Sequence, residues 1–286
     1  MDVVLAQHAG FCWGVRRVVK LAEGCVVGAR TPVCTYGPLI HNTAVIERLA
    51  QAGVRVIPPD ADAAALAQIE PGAVVIIRAH GVPPAELVRL RSAGLEIVNG
   101  TCPHVEKIQQ AVAGAHAAGR TVLIAGDPGH AEVVGLMAFC EPRGYVISAA
   151  TELPTLASTT AVTLVAQSTL DAVTFTNLSA AAAARYQDLE INDTRCDATA
   201  RTQAEAHDLC RDVDAMVVIG GRHSANTNRL AQICRERGAR TLHVERAEEL
   251  TRAAFAGCAR VGVTAGSSTP DWLIAEVVAR LRQFPS

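Results

Sequence analysis

Aromatic residues are scarce in this chain of 286 residues. Phe, Trp and Tyr together make up 3% of it, whereas hydrophobic residues make up 50% and charged residues 19%. Alanine, valine and leucine must therefore supply most of the packing, and so apolar a composition is that of a folded chain. At roughly 100–200 residues per domain, the length allows one large domain or about two or three small ones.

Long apolar runs and an excess of one charge are also missing. No stretch approaches the roughly 18 uninterrupted apolar residues of a membrane span, and the first residues lack the pattern of a signal peptide. Lys and Arg number 26 against 28 Asp and Glu, which leaves no basic footprint for nucleic acid. We therefore expect a cytoplasmic protein with neither a membrane nor a nucleic-acid partner.

No CxxC pair occurs, which argues against a zinc ribbon or a thioredoxin-type motif. The chain has nine cysteines, and an odd number in a large, apolar chain makes a disulfide framework improbable. Most of the thiols should be small buried hydrophobes. We expect this packing role for Cys25, Cys34, Cys140, Cys210, Cys234 and Cys258.

Short runs rich in Val and Ile alternate with amphipathic segments that stop at a glycine, as in "ERLAQAG" before "VRVI". Glycine supplies the left-handed cap of a helix, and a new strand follows. Alternation of this kind predicts an α/β fold with mainly parallel sheets. The predicted strands are Val3–Ala6, Val33–Tyr36, Val54–Ile57, Val74–Arg78, Glu96–Val98, Thr121–Ala125, Gly144–Ile147, Val162–Ala166, Glu190–Asn192, Ala215–Ile219, Thr241–Val244 and Arg260–Thr264.

A weak internal repeat places one cysteine just beyond a strand and near a helix start. "LEIVNGTCPHVEKIQQAV" and "LEINDTRCDATARTQAEA" share this layout, and "VVLAQHAGFCWGVRRVV" follows it more loosely. The three cysteines, Cys12, Cys102 and Cys196, are 90 and 94 residues apart. This spacing indicates three small α/β units around a common centre.

Thiols at helix N-termini are favoured as thiolates, the form that ligates metal. Three thiolates without a fourth would fit a 4Fe–4S cluster that keeps one iron open to substrate. Three unrelated core cysteines would produce the same spacing, so both interpretations stay open on spacing alone.

Polar residues cluster where the predicted strands end, which is where α/β sheets bind ligands. Histidines, hydroxyls and glycine-freed backbone amides suit a small anion such as diphosphate, although no P-loop motif occurs. Glu132 lies two residues from His130 and could pass a proton from it, whereas a solvated loop glutamate is the plainer alternative. The candidate residues are His41, His80, His130, Glu132, Gln167, Ser168, Thr169, Ser224, Asn226, Ser267 and Ser268.

Nine segments together resemble the 4-hydroxy-3-methylbut-2-enyl diphosphate reductase (LytB) family over about Val3 to Leu281. In order they are "AGFCWGVRRVV", "GPLIHN", "IIRAHGVPP", "GTCPHVEK", "GHAEVVG", "VAQSTL", "NDTRCDAT", "GGRHSANTNRL" and "VGVTAGSSTPDW". The resemblance implies three α/β lobes in a pseudo-threefold trefoil around a central iron–sulfur cavity. The lobes would comprise residues 14–101, 102–194 and 195–286, with residues 1–13 joining the third.

The resemblance also implies the chemistry, the last step of the methylerythritol phosphate pathway to isoprenoids. A two-electron reductive dehydroxylation converts the hydroxymethylbutenyl diphosphate into isopentenyl and dimethylallyl diphosphates. A ferredoxin or flavodoxin supplies the electrons, and the enzyme is a monomer or homodimer. The cofactor is one 4Fe–4S cluster with one open iron, which oxidation can convert to a 3Fe–4S form.

Roles carry over motif by motif. The resemblance assigns the cluster to Cys12, Cys102 and Cys196, and proton donation to Glu132 with Thr169, Ser168 and His130 beside it. Substrate binding falls to His41, His80, His130, Ser168, Thr169, Thr199, Ser224, Ala225, Asn226 and Ser268.

Five positions in four segments depart from the family pattern. Ser168 replaces a threonine, Ala225 replaces Ser or Gly, and "NGTCP" with Gly100 replaces "DATCP". His223 stands where asparagine is frequent, and we expect it to face solvent. None of these changes removes a cysteine ligand, a histidine or the acid, so they concern affinity rather than reaction class.

Two other functions would fit parts of the same pattern. A metal-dependent hydrolase of a small phosphorylated substrate would use the three histidines and Glu132 around zinc. A non-catalytic iron–sulfur or diphosphate-binding protein would need no acid at all.

Overall fold

The computed structural model describes residues 1–157 and 159–284, and it is an α/β protein with twelve strands in three parallel sheets. Each strand predicted from the sequence is present, with ends that differ by at most one residue. The chain separates into two compact units. The first unit comprises Met1–Arg16, Ile40–Glu47 and Asp197–Ser286, and the second comprises Arg17–Leu39 and Arg48–Cys196.

The second unit contains two four-stranded sheets. The order of the first is β3-β2-β4-β5 and that of the second is β7-β6-β8-β9, with parallel pairing throughout. The strands are β2 (Val33–Tyr36), β3 (Arg55–Ile57), β4 (Val74–Ile77), β5 (Glu96–Val98), β6 (Thr121–Ala125), β7 (Gly144–Ile147), β8 (Val162–Ala166) and β9 (Leu189–Asn192).

The first unit contains the remaining sheet, whose order is β1-β12-β10-β11, again all parallel. The N-terminal strand pairs with the last strand of the chain, so that Val3 lies beside Val261. The strands are β1 (Asp2–Leu5), β10 (Ala215–Ile219), β11 (Arg240–Val244) and β12 (Arg260–Ala265).

The three sheets share one strand order. In the two sheets of the second unit, the strand that comes first in the sequence lies between the second and the third, and a fourth strand flanks the third. In the sheet of the first unit, β10, β11 and β12 take the first three places in the same way. In the sheet of the first unit, β1 occupies the place of that fourth strand. This shared order gives the weak sequence repeat a structural basis, because each cysteine motif directly follows a fourth strand.

Ten α-helices accompany the strands in the described part of the chain, and several of them start with ordinary capping chemistry. The side chains of Asp62, Asp171 and Ser224 accept backbone N–H groups, and Pro84 and Pro103 occupy first positions. The helices are α1 (Trp13–Val26), α2 (Thr43–Gln51), α3 (Ala63–Ala67), α4 (Pro84–Ser92), α5 (Pro103–Ala117), α6 (Ala131–Met137), α7 (Ala172–Arg185), α8 (Asp197–Leu209), α9 (Ala225–Glu236) and α10 (Asp271–Arg282). Within residues 1–157 and 159–284, no helix is long and apolar enough to span a bilayer.

The central strands β6, β8 and β10 are buried at every position, as expected for strands covered by helices on both faces. Four of the six cysteines expected to pack are buried, and Cys25 and Cys210 are partly exposed. The lobe boundaries given above remain a prediction, and residue 158 and the last two residues lie outside the described part of the chain.

Gly100 is packed too tightly to carry a side chain. A Cβ at this position would lie 2.0 Å from the carbonyl oxygen of Ile77 and 2.6 Å from a methyl group of Val18. The backbone here passes directly over the end of β4, two residues before Cys102. The close approach leaves no room for a side chain at this position in this chain.

We predict that Gly100→Ala lowers the free energy of unfolding by about 1–3 kcal/mol, because the backbone oxygen cannot yield without moving β4. Urea unfolding would measure this loss. Gly114→Ala is the matched control: Gly114 is exposed within α5 with open space around it, so the same substitution should stabilise the protein by up to about 1 kcal/mol. Equal effects at the two positions would contradict the packing argument.

Candidate active site

The predicted site residues divide between the two compact units. The first unit contains Cys12, His41, Thr199, Ser224, Ala225, Asn226 and Ser268. The second unit contains His80, Cys102, His130, Glu132, Ser168, Thr169 and Cys196.

Cys102 caps the N-terminus of α5 in the second unit. Its backbone N–H donates to the carbonyl of Ala79 at 3.0 Å, and the backbone amides of His104 and Val105 lie in the first turn that follows it. Burial raises the pKa of the Cys102 thiol, and these amides partly offset the effect. The nearby thiol of Cys196 raises the pKa further, so the two sulfurs are within electrostatic reach of each other.

Hydrogen bonds hold the segments that carry these two cysteines side by side. The His104 ring nitrogen Nε2 lies 2.9 Å from the carbonyl oxygen of Thr194, two residues before Cys196. The hydroxyl of Thr194 accepts the N–H of Ala166 at 2.8 Å and donates to the carbonyl of the same residue at 2.6 Å. The loop before Cys196 is therefore fastened to the end of β8 and to the first turn of α5.

Glu132 is a buried carboxylate with two short hydrogen bonds to one residue. It is 2% exposed, and its oxygens accept the backbone N–H of Ser168 at 2.7 Å and the Ser168 hydroxyl at 2.6 Å. The carbonyl of Ser168 in turn accepts the N–H of Cys196 at 2.8 Å. A single residue after β8 thus connects the predicted acid with the backbone of a predicted cluster ligand.

Gln167 orients the hydroxyl of Thr169 beside this contact. The Gln167 side chain is fully buried, and its amide nitrogen donates to Thr169 Oγ1 at 2.8 Å. Its amide oxygen accepts the N–H of Asp127 at 2.8 Å. Gln167 therefore ties the loop after β8 to the loop after β6, which leads to His130 and Glu132.

His80 and His130 lie edge to face, with ring centroids 5.4 Å apart. His130 caps α6, and its Nδ1 accepts the N–H of Glu132 at 3.3 Å. That contact leaves the proton of the neutral ring on Nε2, where it can be donated to an anion. Burial lowers the pKa of His130, and the charges of Glu132 and Asp127 act in the opposite direction.

In the first unit, Cys12 precedes α1 in a similar setting. Its backbone N–H donates to the carbonyl of Ser267 at 3.2 Å, and its sulfur accepts the N–H of Val15 at 3.4 Å. Its carbonyl accepts the N–H of Arg16 at 2.9 Å. Cys12 and Cys102 therefore share one local position, directly before the first turn of a helix.

The remaining polar residues of the first unit surround the start of α9. The Ser224 hydroxyl accepts the N–H of Thr227 at 3.3 Å, and Asn226 donates its side-chain amide to Ser267 Oγ at 3.3 Å. The Ser268 hydroxyl donates to the carbonyl of His41 at 3.2 Å. Asn226 is 2% exposed, and its side-chain oxygen has no hydrogen-bond partner within the described part of the chain.

Two residues named in the sequence analysis lie apart from these hydrogen bonds, and two residues that form such bonds were not predicted. Thr199 is buried in the first turn of α8, and His223 is exposed, as expected. Sequence reasoning overlooked Thr194 and His104, although each lies two residues from a predicted cysteine ligand. A search for polar residues flanking the cysteines would have found both.

We predict that His130 makes the stability of this chain depend on pH. Because the pKa of His130 in the folded state lies below its ordinary value of 6.5, the unfolded chain binds more protons just below that pH. The free energy of unfolding should therefore fall as the pH decreases from about 7 to about 5, and His130→Asn, which keeps a capping side chain, should reduce the fall. Urea unfolding at both pH values measures this, with exposed His223→Asn as the control. An unchanged pH dependence in His130→Asn would contradict the prediction.

Known proteins are similar to this chain over nearly its whole length. Residues 3–282 match the model of the family described as LytB protein. A 4-hydroxy-3-methylbut-2-enyl diphosphate reductase of Citrifermentans bemidjiense is 43% identical over 98% of this chain and 97% of its own.

Two solved structures share the fold. One, titled as (E)-4-hydroxy-3-methyl-but-2-enyl diphosphate reductase, the terminal enzyme of the non-mevalonate pathway, is 36% identical, with a TM-score of 0.72 over 99% of this chain and 100% of its own. The other, an E-1-hydroxy-2-methyl-but-2-enyl-4-diphosphate reductase from Plasmodium falciparum, is 21% identical and covers 99% of this chain and 89% of its own. Its TM-score of 0.93 concerns the fold alone. With a family model matched over nearly every residue and a relative this similar, the chain belongs to the LytB protein family.

Proposed function

We propose that this chain catalyses the two-electron reductive dehydroxylation of (E)-4-hydroxy-3-methylbut-2-enyl diphosphate, which yields isopentenyl and dimethylallyl diphosphates. Family membership and the names of the similar proteins support this reaction. The observation that carries it is the buried carboxylate of Glu132, joined through Ser168 to the backbone of Cys196. A proton donor and a sulfur ligand fastened to one loop are what reductive removal of a hydroxyl group requires.

The family is one of iron–sulfur enzymes, and the residues present fit such a group. In the proposal, Cys12, Cys102 and Cys196 hold one 4Fe–4S cluster with one open iron. Oxidation can convert this cluster to a 3Fe–4S form. All three thiols are partly exposed, and the backbone amides that follow two of them would hydrogen-bond thiolates. The cluster, when bound, supplies single electrons and a Lewis-acidic iron.

Proton delivery falls to Glu132 in this proposal. Burial excludes bulk water from its carboxyl group, and two donors from Ser168 fix the direction in which that group points. Ser168 and Thr169 place two hydroxyl groups in the same loop, and these can relay a proton between substrate and acid. His130 lies on the same helix start as Glu132.

Substrate binding falls to residues that carry little fixed charge. The proposal assigns the diphosphate to imidazole, hydroxyl and amide donors, with Thr199 and Ala225 at the first turns of α8 and α9. The first backbone N–H groups of a helix have no acceptor within the helix and attract an anion. In α9 these groups belong to Ala225 and Asn226. The assigned residues are His41, His80, His130, Ser168, Thr169, Thr199, Ser224, Ala225, Asn226 and Ser268.

The electron source in the proposal is a ferredoxin or flavodoxin, and the enzyme acts as a monomer or homodimer. Nothing in the comparisons favours the hydrolase hypothesis, since the relatives named above are reductases.

We predict that Glu132→Gln lowers turnover with reduced methyl viologen by about 10²–10⁴-fold, the usual contribution of general acid catalysis. Glutamine keeps the size of the side chain and can still accept the N–H of Ser168, so iron and sulfide content should not change. Anaerobic assay of hydroxymethylbutenyl diphosphate consumption measures the loss.

Glu152→Gln provides the matched control. Glu152 also accepts both the N–H and the hydroxyl of one serine, Ser148, but it lies on the surface. Its variant should retain full turnover. Undiminished activity in Glu132→Gln would refute the assignment of the acid.

We predict that Cys102→Ser loses the absorption near ~400 nm that thiolate-bound iron gives, together with reductase activity. The cause is the loss of one of three protein ligands, since an alkoxide is a poorer ligand for this metal than a thiolate. Anaerobic reconstitution, iron and sulfide analysis and the absorption spectrum measure the outcome. Cys25→Ser, a partly exposed thiol on α1, is the control and should keep the full cluster content. A cluster retained at full content in Cys102→Ser would overturn the ligand assignment.

A further inference from the structure

Arg78 directly follows β4, and its side chain lies against the turn that contains His80. The carbonyl of Arg78 accepts the N–H of Gly81 at 3.0 Å, which closes a turn over residues 78–81 with His80 in its third position. The side chain of Arg78 returns to the same turn, where its Nε–H group donates to the carbonyl of Gly81 at 3.4 Å. The charged group is therefore held close to the backbone on either side of His80.

The guanidinium of Arg78 is packed against protein rather than extended into solvent. A Cβ at Gly37 would lie 3.0 Å from one of its terminal nitrogens and 3.5 Å from its Cδ atom, so the side chain covers the backbone that follows β2. Arg78 is partly buried, and burial lowers the pKa of its guanidinium. The charged form has thus lost part of the hydration that would stabilise it in water.

No carboxylate forms an ion pair with Arg78 among the residues that the structure describes. Its side chain donates to the carbonyl of Gly81, which carries no charge, and Glu86 on the following helix is already paired with Arg89 at 2.6 Å. Charged groups that lose water are normally paired with a group of opposite charge. The setting of Arg78 therefore favours an anionic ligand as the missing partner.

Arg195 shows what a compensated arginine looks like at a comparable position. Within the described part of the second unit, Arg78 and Arg195 are the two Lys or Arg residues that come within three positions after a strand. Arg195 donates two hydrogen bonds to the carboxylate of Asp193, at 2.8 Å and 2.6 Å, which neutralises its charge. At these strand ends, the uncompensated positive charge is that of Arg78.

This charge lies in the same turn as one of the imidazoles to which the proposed function assigns the diphosphate. His80 shares the turn with Arg78, and its ring lies edge to face with that of His130, 5.4 Å between centroids. Neutral imidazoles donate hydrogen bonds but carry no net charge. A diphosphate bound to such donors would still lack a fixed positive charge, and Arg78 can provide one.

We propose that Arg78 supplies a fixed positive charge that attracts the diphosphate group of the substrate to the turn of His80. This inference rests on the proposed function, because it concerns the same substrate. The diphosphate is not altered in the reaction, so a charge that acts on it stabilises the bound substrate and the transition state equally. Arg78 therefore contributes to KM and leaves kcat unchanged.

Calorimetric titration of the anaerobic, cluster-loaded protein with inorganic pyrophosphate tests the proposal without turnover. In Arg78→Gln, we expect the dissociation constant to rise about tenfold, because a unit charge in partly buried surroundings is lost. The KM for hydroxymethylbutenyl diphosphate, with reduced methyl viologen as the electron source, should rise by a similar factor. The kcat should stay within about twofold of the wild-type value.

Two other substitutions at the same position separate the charge from the shape of the turn. Arg78→Lys keeps the charge and should bind pyrophosphate within about threefold of the wild type. Arg78→Met keeps the apolar stem without the charge and should reproduce the effect of Arg78→Gln. Iron content and the urea unfolding midpoint of each variant report whether the fold is intact.

Arg143→Gln is the matched control, since it removes the same charge from the same unit. Arg143 also donates to one backbone carbonyl, that of His116 at 2.7 Å, and has no carboxylate partner in the described ranges. It directly precedes β7, however, at the opposite edge of its sheet from the loop that contains His130. Its affinity for pyrophosphate and its KM should equal those of the wild type.

Several outcomes would overturn the proposal. They are an unchanged affinity in Arg78→Gln, the absence of pyrophosphate binding to the wild type, a lower kcat with unchanged affinity, and unfolding of both uncharged variants. Equal losses in Arg78→Lys and Arg78→Gln would assign the effect to the turn instead of the charge. If the wild type binds pyrophosphate through Arg78 but does not consume the substrate, the proposed reaction fails and the role of Arg78 stands.

Discussion

Parallel pairing of every strand is the constraint on which the positions of the candidate residues depend. In a parallel sheet, all strands end at the same edge, and loops that leave the strands next to a crossover point meet there. The three sheets repeat one strand order, so each sheet places two neighbouring loops at such a point. The loops after β6 and β8 show the result directly, since they bring Glu132 within hydrogen-bond distance of Ser168. The same order places each cysteine motif after a flanking strand, at the start of a helix.

The contact between Glu132 and Ser168 shows how little charge this arrangement needs. Burying a carboxyl group is unfavourable unless donors replace the water that it loses. Here a backbone amide and a hydroxyl from one residue supply those donors, and that residue also holds Cys196 through its carbonyl. The proposed acid, the Ser168 hydroxyl and the backbone of a proposed sulfur ligand are thus joined by a few short hydrogen bonds to one residue. The near-neutral charge of the whole chain agrees with a site built from hydrogen-bond donors rather than from lysine and arginine.

Much of the fold could be predicted because its signals are local. The buried runs of Val and Ile and the glycines after helices located all twelve strands to within a residue. Strand order could not be predicted in this way, because "AVVII" and "AMVVIG" look alike whichever neighbours they pair with. The same limit applies to the site. Gln167, Thr194 and His104 act through hydrogen bonds to residues distant in sequence, and no local motif reveals those bonds.

The pairing of β1 with β12 has a consequence for how the chain is made. A ribosome releases residues in order, and Asp2–Leu5 must wait for Arg260–Ala265, the last strand of all, before its backbone groups find partners. The sheets of the second unit, in contrast, draw all their strands from one continuous stretch of the chain, between β2 and β9. Domains generally fold during synthesis as soon as their residues have emerged, so the second unit can form first. The first unit, with Cys12 directly after β1, can be completed only once Arg260–Ala265 has been synthesised, and any cofactor that needs this cysteine in its folded setting has to be inserted after that point.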